Sequence, residues 1–409
     1  MKRERLQWIL AFVIVAIYYA GSIFGFSVFR EVFTPLHILA FSANALAAVI
    51  FIYPIIVIHE LGHALAGAAA GIEINRVQIG SGPRLSSFHL FGVEFLFHTH
   101  SHGGLTFPGR IPDDFIRSRI FLLTCGGVLA QALAALAGWA AFDSWWSNFL
   151  EEYGVYLPHT FTGVNILLLF LNLNPVTVHV MNMPAYSDGR QLARIPWLTG
   201  GELDDFLAAA YITGGYDLLM KDDYSGAERT FRQGLALAPR SLMLMNNLSS
   251  ALISQGRCRE AIQIIEEAMK AGPYQLIGCL LHVNLASAHL CLGADGDMQK
   301  ALENSETAYW IFPRLPSVAI IRGAVLLEAG KTVEGTNILL EHVHPSQPIQ
   351  KLWNIALGHI YLAYGHHMAG RADDAAMLIG RVEAHMAQLS TYEAMMLERI
   401  QRRIGAAGL

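Results

Sequence analysis

Residues 55–67 read IIVIHELGHALAG, a stretch that sets three ionisable side chains inside an apolar run. The three are His59, Glu60 and His63. A charged side chain at the centre of a lipid-spanning helix costs about 2.5 to 3.5 kcal/mol on insertion scales, so ionisable residues in such helices are rare and mark functional sites. These side chains therefore need charged or hydrogen-bonding partners, and their presence indicates a functional role. Both the partners and the role must be sought in the rest of the sequence.

The composition of the chain separates two regions. Of its 409 residues, 53% are hydrophobic and only 15% are charged, and the mean hydropathy of +0.38 is too high for an ordinary soluble protein. The apolar excess lies in the first half, whereas from about residue 200 onward the composition is that of soluble helices. We predict a membrane domain at residues 1–198 and a cytoplasmic domain at residues 199–409.

The charge of the chain argues against a nucleic-acid partner, and its cysteine usage indicates a reducing compartment. The net charge of -5 comes without any basic stripe interleaved with aromatic residues, so we expect no nucleic-acid partner. The four cysteines show no CxxC spacing, and three of them lie in the soluble half. This pattern indicates reduced, packed thiols in a cytosolic compartment. The cysteines are Cys125, Cys258, Cys279 and Cys291.

Four apolar runs are long enough to cross a bilayer. They lie at residues 6–29, 37–71, 119–142 and 160–178. The first run follows three basic residues and is longer than the hydrophobic core of a signal peptide, so we predict a retained span. The predicted membrane domain is therefore all-α and polytopic with about four transmembrane helices, to which a family resemblance of residues 76–107 adds a small β-hairpin segment at residues 73–107.

The distribution of basic residues predicts the orientation of these spans. Lys and Arg residues precede the first span, flank the loop between the second and third spans and follow the fourth, whereas residues 143–159 contain acids but no Lys or Arg. By the positive-inside rule, both termini and residues 73–117 are cytoplasmic. We expect a multi-pass protein of the cell inner membrane whose HELGH segment lies in the cytoplasmic half of the second span.

The spacing of the two histidines is that of a zinc site. Residues four apart lie on one face of a helix, so His59 and His63 direct their imidazoles at one ion with Glu60 beside them. In such HExxH sites a third protein ligand completes the set, an open position keeps a water, and the glutamate takes the proton of that water. The alternative is a buried helix whose polar groups bond to neighbouring backbone.

A third ligand must come from another span that ends at the same depth. The fourth predicted span supplies candidates, because residues 165–192 read NILLLFLNLNPVTVHVMNMPAYSDGRQL. This segment contains Asn172, Pro175, Asp188 and Gly189 near the helix end that the predicted topology places inside.

At these residues the chain resembles the site-2 protease family of intramembrane zinc metalloproteases. HELGHALA matches the catalytic helix of that family, NLNP followed by SDGRQL resembles its NxxP and DG signature, and the resemblance covers most of residues 50–195. It implies one zinc ion per chain held by His59, His63 and Asp188. It also implies that Glu60 is the general base and that Asn172 stabilises the oxyanion near the scissile carbonyl. His179, in the longer connection before Asp188, is an alternative third ligand or a simple loop histidine.

Two further stretches resemble the same family. Residues 76–107 resemble its β-hairpin segment, and the alternation in VEFLFHTH is the period-two signal of a strand. An exposed strand edge at this depth would pair with an extended substrate segment. The run CGGVLAQALAALAG at residues 125–138 resembles a small-residue helix of the family in which Asn usually stands at the place of Gln131. Gln131 is therefore either a packing residue or an active-site hydrogen-bond donor.

Three histidines in the predicted hairpin form a separate cluster. The segment HTHSH places His98, His100 and His102 on one face of a strand. Three hypotheses stay open for them: a second metal site, a pH-sensitive loop, and an ordinary solvated surface.

The second half of the chain contains a degenerate repeat. AERTF at residues 227–231 and AIQII at residues 261–265 are 261 - 227 = 34 residues apart, the tetratricopeptide period, and ALENS at residues 301–305 is a third copy. Less regular copies follow near residues 330–348 and 370–385. We predict an α-solenoid of tetratricopeptide-like helix pairs, which acts either as an adaptor for a protein or peptide partner or as a solubilising cap.

The sequence as a whole favours an intramembrane zinc metalloendopeptidase that cleaves membrane protein substrates in or near a transmembrane segment. The repeat domain would recruit or regulate those substrates, and the lipid bilayer surrounds the catalytic domain. One alternative is a catalytically inactive membrane adaptor or scaffold, against which the presence of Glu60 argues. A second alternative is a metal transporter, against which the absence of a ligand path and of inverted repeats argues.

Overall fold

The computed structural model describes residues 35–141, 150, 152–180, 183–272, 275–293, 295–344, 346–349 and 354–406. The chain divides into two compact units, Met1–Leu198 and Thr199–Leu409. The first predicted span, at residues 6–29, lies outside the described residues.

Three apolar helices in contact with one another form the frame of the first unit. They are α1 (Pro35–Ala69), α2 (Ile116–Ala140) and α3 (Leu157–Leu173). Among the described residues two helical segments, Leu39–Ala69 and Ile116–Ala140, are long and apolar enough to cross a membrane, and α3 is a shorter apolar helix. These two segments correspond to the predicted spans at residues 37–71 and 119–142.

The fourth predicted span, residues 160–178, is helical only in part. Helix α3 ends at Leu173, and residues 177–180 form a strand instead. Pro175 accounts for this end, because a proline disfavours helical backbone at the residue before it and has no N–H to continue the helix.

Two glycines bring α1 and α2 into close contact. A Cβ added at Gly62 would lie 2.4 Å from the carbonyl oxygen of Gly126, and a Cβ at Gly126 would lie 2.3 Å from the carbonyl oxygen of Gly62. Only glycine fits at both positions, as is usual where membrane helices cross closely. This contact presses the HELGH turn of α1 against the CGG turn of α2.

A small sheet follows α1. It consists of β1 (Ile74–Leu90) and β2 (Val93–Pro108), joined by a tight turn at Phe91 and Gly92, both with positive φ. Residues 76–79 pair with 94–97 on one side and with 104–107 on the other, because both strands bend and fold back. The segment 104–107 is consequently the outermost strand on its side, and in the described part of the chain no other strand pairs with its outer edge.

A second, shorter hairpin leads from α3 to the last helix of the unit. Strands β3 (Thr177–Val180) and β4 (Met183–Tyr186) pair antiparallel, and α4 (Asp188–Arg194) follows with a 3-10 turn at Ile195–Trp197. The ends of the hairpin are tied together at Ser187, whose N–H donates to the carbonyl of Val176 at 3.1 Å.

The second unit is an array of helix pairs. A first helix, α5 (Gly200–Leu207), begins with a capping box formed by Thr199 and Glu202. The five pairs that follow are α6 (Ala209–Leu219) with α7 (Tyr224–Leu237), α8 (Leu242–Ser254) with α9 (Cys258–Lys270), α10 (Gln275–Leu292) with α11 (Asp295–Ile311), α12 (Pro316–Glu328) with α13 (Thr332–His342), and α14 (Ile355–Met368) with α15 (Ala372–Glu383). The last helix is α16 (Thr391–Ala406).

The repeated sequence segments occupy equivalent places in this array. AERTF, AIQII and ALENS lie in α7, α9 and α11, the second helices of three successive pairs. Their first residues, Ala227, Ala261 and Ala301, are all 0% exposed. The small residue lets each second helix approach its partner closely, which explains why this position is repeated. Successive first helices also contact each other along the array, as expected for a solenoid.

Candidate metal centre and active site

His59, His63 and Asp188 meet at one point of the first unit. The Nε2 atom of His59 lies 3.0 Å and that of His63 lies 3.4 Å from Oδ2 of Asp188. The two Nε2 atoms are 3.0 Å apart, and the three ligand atoms lie within 4.8 Å of one another. Both imidazoles are buried at 8% exposure, so the cluster is shielded from bulk solvent.

The hydrogen bonds of the two imidazoles leave their Nε2 lone pairs for a cation. Nδ1 of His59 lies 3.0 Å from Oε1 of Gln131, and Nδ1 of His63 lies 2.8 Å from the carbonyl oxygen of Leu123. Both oxygens only accept, so both Nδ1 atoms carry the proton and neither Nε2 atom does. Two unprotonated nitrogens and a carboxylate oxygen facing each other would repel, and this donor set fits a zinc ion.

Asp188 reaches this point because of the short hairpin before it. The Oγ of Ser187 donates to the carbonyl of Asn174 at 2.6 Å and accepts from the N–H of Val176 at 3.2 Å and of Arg190 at 3.3 Å. These bonds fix the start of α4 against the end of α3. A Cβ on Gly189 would lie 1.8 Å from the carbonyl oxygen of Leu173, so only glycine permits this approach.

Burial and the neighbouring imidazoles act in opposite directions on Asp188. Burial alone would raise the pKa of its carboxyl group, but its contacts with His59 and His63 outweigh burial and hold the pKa well below its usual range. The carboxylate is thus ionised and ready to bind a cation at neutral pH.

Glu60 is buried beside the cluster and is held by the outermost strand. Glu60 is only 4% exposed, and the hydroxyl of Thr106 lies 2.8 Å from its Oε2. The same hydroxyl lies 3.1 Å from the backbone oxygen of Glu60. A Cβ on Gly104 would lie 2.5 Å from Cγ of Glu60, so the strand passes directly over the carboxylate.

Gln131 and Asn172 extend the hydrogen-bond network around His59. The Nδ2 of Asn172 donates to Oε1 of Gln131 at 3.0 Å, and it lies 3.4 Å from Nδ1 of His59. Gln131 is 1% exposed and accepts from both neighbours, so it is an acceptor that orients the imidazole. The structure therefore brings Asn172 to the cluster together with Glu60, His59, His63 and Asp188.

His98 and His100 stand apart from this cluster. His98 donates through Nδ1 to the carbonyl of Gly82 at 2.7 Å, and His100 lies 3.2 Å from the carbonyl of Ser81, so both stabilise the bend of β1. In the described part of the chain one group of His, Cys, Asp and Glu residues is placed to hold a metal, and it is His59, His63 and Asp188.

The backbones of His102 and His179 belong to the described residues, but their side chains do not. The side chain of His102 lies outside the described residues. His179 has its backbone in β3, opposite Pro184, while its side chain also lies outside the described residues. The hypothesis of His179 as an alternative ligand stays a prediction.

Sequence reasoning missed two contributors to the site. Thr106 contacts Glu60 although 46 residues separate them, and only the fold of the sheet brings them together. Gly127 leaves the space that the imidazoles occupy, since a Cβ there would lie 2.5 Å from Nε2 of His63. The GG pair of CGGVLAQ was the visible signal for Gly127, whereas no signal in the sequence pointed to Thr106.

The family comparison agrees with this geometry. The model of peptidase family M50 matches residues 47–193, which contain all five predicted site residues. These residues form a peptidase family M50 domain. The M50 domain thus runs from the middle of α1 to the end of α4 and includes both hairpins.

Three curated relatives resemble parts of this domain. The chloroplastic membrane metalloprotease ARASP of Arabidopsis thaliana is 38% identical over 74 residues, and the probable membrane metalloprotease ARASP2 of the same plant is 41% identical over 63 residues. A putative zinc metalloprotease of Nostoc sp. is 35% identical over 97 residues. The matches cover 18%, 15% and 23% of this chain and only 17%, 14% and 27% of the relatives.

Two solved structures resemble the second unit. A thermophilic TPR protein of Thermus thermophilus has 18% identity and a TM-score of 0.35, and it covers 49% of this chain and 98% of its own. MamA of AMB-1 has 14% identity and a TM-score of 0.28, and the match covers 47% of this chain and 98% of MamA. Both likenesses are loose, and the repeat assignment rests on the packing of the helix pairs in this chain itself.

Proposed function

We propose that this chain is an intramembrane zinc metalloendopeptidase. The observation that carries the proposal is the convergence of His59, His63 and Asp188 on one point, with the carboxylate of Glu60 buried beside them. The two long apolar helices and the membrane metalloproteases among the relatives support a membrane location. We infer from these features a hydrolytic metal site within or beside the bilayer.

The residues of the site have distinct parts in the proposed reaction. His59, His63 and Asp188 would hold one zinc ion, which when bound lowers the pKa of a coordinated water and polarises the scissile carbonyl. Glu60 accepts the proton of the attacking water and then donates it to the leaving amine.

The remaining polar residues position these groups. Thr106 keeps Oε2 of Glu60 in place through its 2.8 Å hydrogen bond, and Gln131 keeps the Nε2 atom of His59 directed at the site. Asn172 is the polar side chain that we assign to the oxyanion. Its Nδ2 has two hydrogens, of which one bonds to Gln131, so the second remains for a substrate oxygen.

The outermost strand offers a way to hold the substrate. Residues 104–107 run past Glu60 with one edge paired to residues 76–79. An extended substrate segment that adds to the other edge would place its backbone beside the general base. This mode requires the substrate helix to unwind locally, so we propose segments of low helical stability, in or near a transmembrane span, as the sites of cleavage.

The basic residues of the chain support a cytoplasmic position of the site. The loop that contains the sheet carries Arg76, Arg84 and Arg110, and α4 carries Arg190 and Arg194. We therefore propose an inner-membrane protein with both termini in the cytoplasm. In this orientation the repeat unit is cytoplasmic and recruits or regulates substrates through protein or peptide contacts.

Two other functions receive less support. An inactive adaptor would not need the buried Glu60 or its bond to Thr106. A metal transporter would need ligands along a path, but in the described part of the chain the metal-capable groups gather at one place.

The proposal is tested by a Glu60→Gln variant of the full chain in membranes. We expect this variant to retain one zinc per chain by elemental analysis and to accumulate uncleaved membrane proteins that the wild-type chain removes. His59→Ala serves as the matched control, because it should lose both zinc and cleavage. Cleavage that persists in Glu60→Gln, or a wild-type chain that purifies without zinc under metal-replete conditions, would refute the proposal.

A further inference from the structure

The C-terminal helix α16 (Thr391–Ala406) crosses the helix array. It contacts α14, which belongs to the fifth pair, and it also contacts α8, which belongs to the second. A helix that only continued the stack would lie against the last pair. The position of α16 therefore calls for a reason beyond capping the end of the solenoid.

One face of α16 is apolar and buried. Its buried side chains are Tyr392, Met396, Leu397 and Ile400, at 0–6% exposure. Full burial of such a side chain contributes about 1.5 to 3 kcal/mol, so this face is held firmly. The opposite face points to solvent, where the side chains of Glu398 and Arg402 are 67% and 74% exposed.

A buried carboxylate faces the basic residues of α16. The side chain of Glu328, at the end of α12, is only 1% exposed, and its Oε2 lies 2.6 Å from Nη1 of Arg403. Its Oε1 lies 3.9 Å from Nη1 of Arg399 and accepts from the hydroxyl of Tyr361 at 2.9 Å. A buried carboxylate is stable only with such partners, so Glu328 is matched to two arginines that are one helical turn apart.

Backbone carbonyls add to this negative surface. Arg399 donates through Nη1 to the carbonyl of Leu290 at 2.6 Å and through Nη2 to the carbonyl of Cys291. Both carbonyls belong to the last turn of α10, where they lack partners within the helix and where the helix dipole is negative. We call the surface formed by Leu290, Cys291, Glu328, Tyr361 and Tyr364 the α16 seat. Arg403 lies over the Tyr364 ring at 5.8 Å.

Helix α16 is built as a separate element on a short connection. Ser390 and Glu393 cap its first turn, with the N–H and the hydroxyl of Ser390 both donating to Oε2 of Glu393. The 3-10 turn Met386–Gln388 before it is exposed. A helix on such a short connection would compete with a free ligand at an effective concentration on the order of millimolar.

We propose that the α16 seat is a binding surface for an amphipathic helix with two arginines one turn apart. In this structure the chain's own α16 occupies the seat, and a helix of the same pattern in a partner protein takes its place. This inference specifies the recruiting role proposed for the repeat unit, and it does not depend on the chemistry at Glu60. Its test is accordingly read without any protease activity.

The first experiment measures binding of a fluorescent peptide of residues 390–406 to full-length chains in detergent. Arg403→Glu places a second carboxylate against Glu328 and should release α16, so we expect this chain to bind the peptide at least tenfold more tightly than the wild type. Arg402→Glu is the matched control, since Arg402 pairs with Glu398 on the same helix, and it should bind like the wild type. Equal binding by all three chains would contradict the proposal.

The second experiment does not depend on how the substituted chain folds. A protease site is inserted at the exposed turn Met386–Gln388 of the full-length chain, and the chain is then cut. We expect the cut helix to exchange with the labelled peptide and with a peptide altered only on its solvent face. A peptide with both arginines changed to glutamate should not exchange.

Two outcomes of the second experiment would overturn the inference. Failure of the cut helix to exchange, or equal exchange of the charge-reversed peptide, would make α16 a structural cap. Dimers formed by exchange of α16 between chains would make a second copy the occupant of the seat in place of a partner protein.

Discussion

Thr106 donates a hydrogen bond to the carboxylate of Glu60 at 2.8 Å, across two elements that are far apart in sequence. The hydroxyl comes from the outermost strand of the sheet, and the carboxylate comes from the HELGH turn of α1. The strand that we propose to hold the substrate therefore also holds the proposed general base. Docking of a substrate on this strand and positioning of Glu60 are coupled through one side chain.

Removal of this hydroxyl should slow cleavage without loss of metal. Thr106→Val keeps the shape of the side chain, and a hydrogen bond to a charged group is worth about 1.5 to 3 kcal/mol, so we expect kcat to fall at least about tenfold. Zinc content should stay at the wild-type level. Thr99→Val, at an exposed position of the same sheet, is the control, and an equal loss in both variants would show that the sheet as a whole was disturbed.

Loss of the acceptor on Gln131 should weaken zinc binding. Gln131→Leu removes the oxygen that orients His59, and partners of this kind are worth roughly 10- to 100-fold in metal affinity. Competition with a chelator of known affinity measures the change. Gln131→Asn keeps an amide oxygen on a shorter side chain and should recover part of the affinity, whereas identical affinities for Leu and Asn would rule out the orienting role.

A single methyl group at Gly127 should disrupt the metal centre. The Cβ in Gly127→Ala would lie 2.5 Å from Nε2 of His63 and 2.6 Å from Cε1 of His59, so the imidazoles must move. We expect loss of stoichiometric zinc. Gly380→Ala is the matched substitution in another helix, where no atom lies within 4 Å of the added Cβ, and it should leave zinc binding and helicity unchanged.

The proposed zinc ligand Asp188 should depend on Ser187 beside it. Ser187→Ala removes a hydroxyl with three hydrogen bonds that hold the start of α4 at the end of α3. We expect zinc affinity to fall several-fold, since each lost bond is worth about 1 kcal/mol and the ligand becomes less well placed. Ser118→Ala, at an exposed position of α2, should bind zinc like the wild type. Unchanged affinity in Ser187→Ala would mean that Asp188 is held by the helix contact alone.

Local patterns of the sequence predict part of the candidate site. The spacing of His59 and His63 requires a shared face in any helix, and the buried setting of Glu60 follows from the apolar run around it. The assignment of Asp188 came from resemblance, and its convergence with both histidines in space is consistent with that assignment. The repeated alanines likewise marked equivalent helix contacts in the second unit.

Other features depend on tertiary contacts that no local pattern reveals. The role of Thr106 follows from a strand that folds back on β1. Gln131 accepts hydrogen bonds, whereas the sequence offered it as a packing residue or a hydrogen-bond donor. The fourth predicted span is longer than helix α3. The apolar sequence continues past Pro175, whereas the helix ends at Leu173. The return of α16 to α8 depends on contacts between distant repeats, and no local sequence pattern marks its arginines.

The hairpin between Val176 and Ser187 makes the position of Asp188 independent of the length of the connection before it. Because its two ends bond to each other, insertions between β3 and β4 should leave Asp188 in register with the histidines. The long connection before Asp188 is therefore compatible with the convergence of Asp188, His59 and His63 on one point.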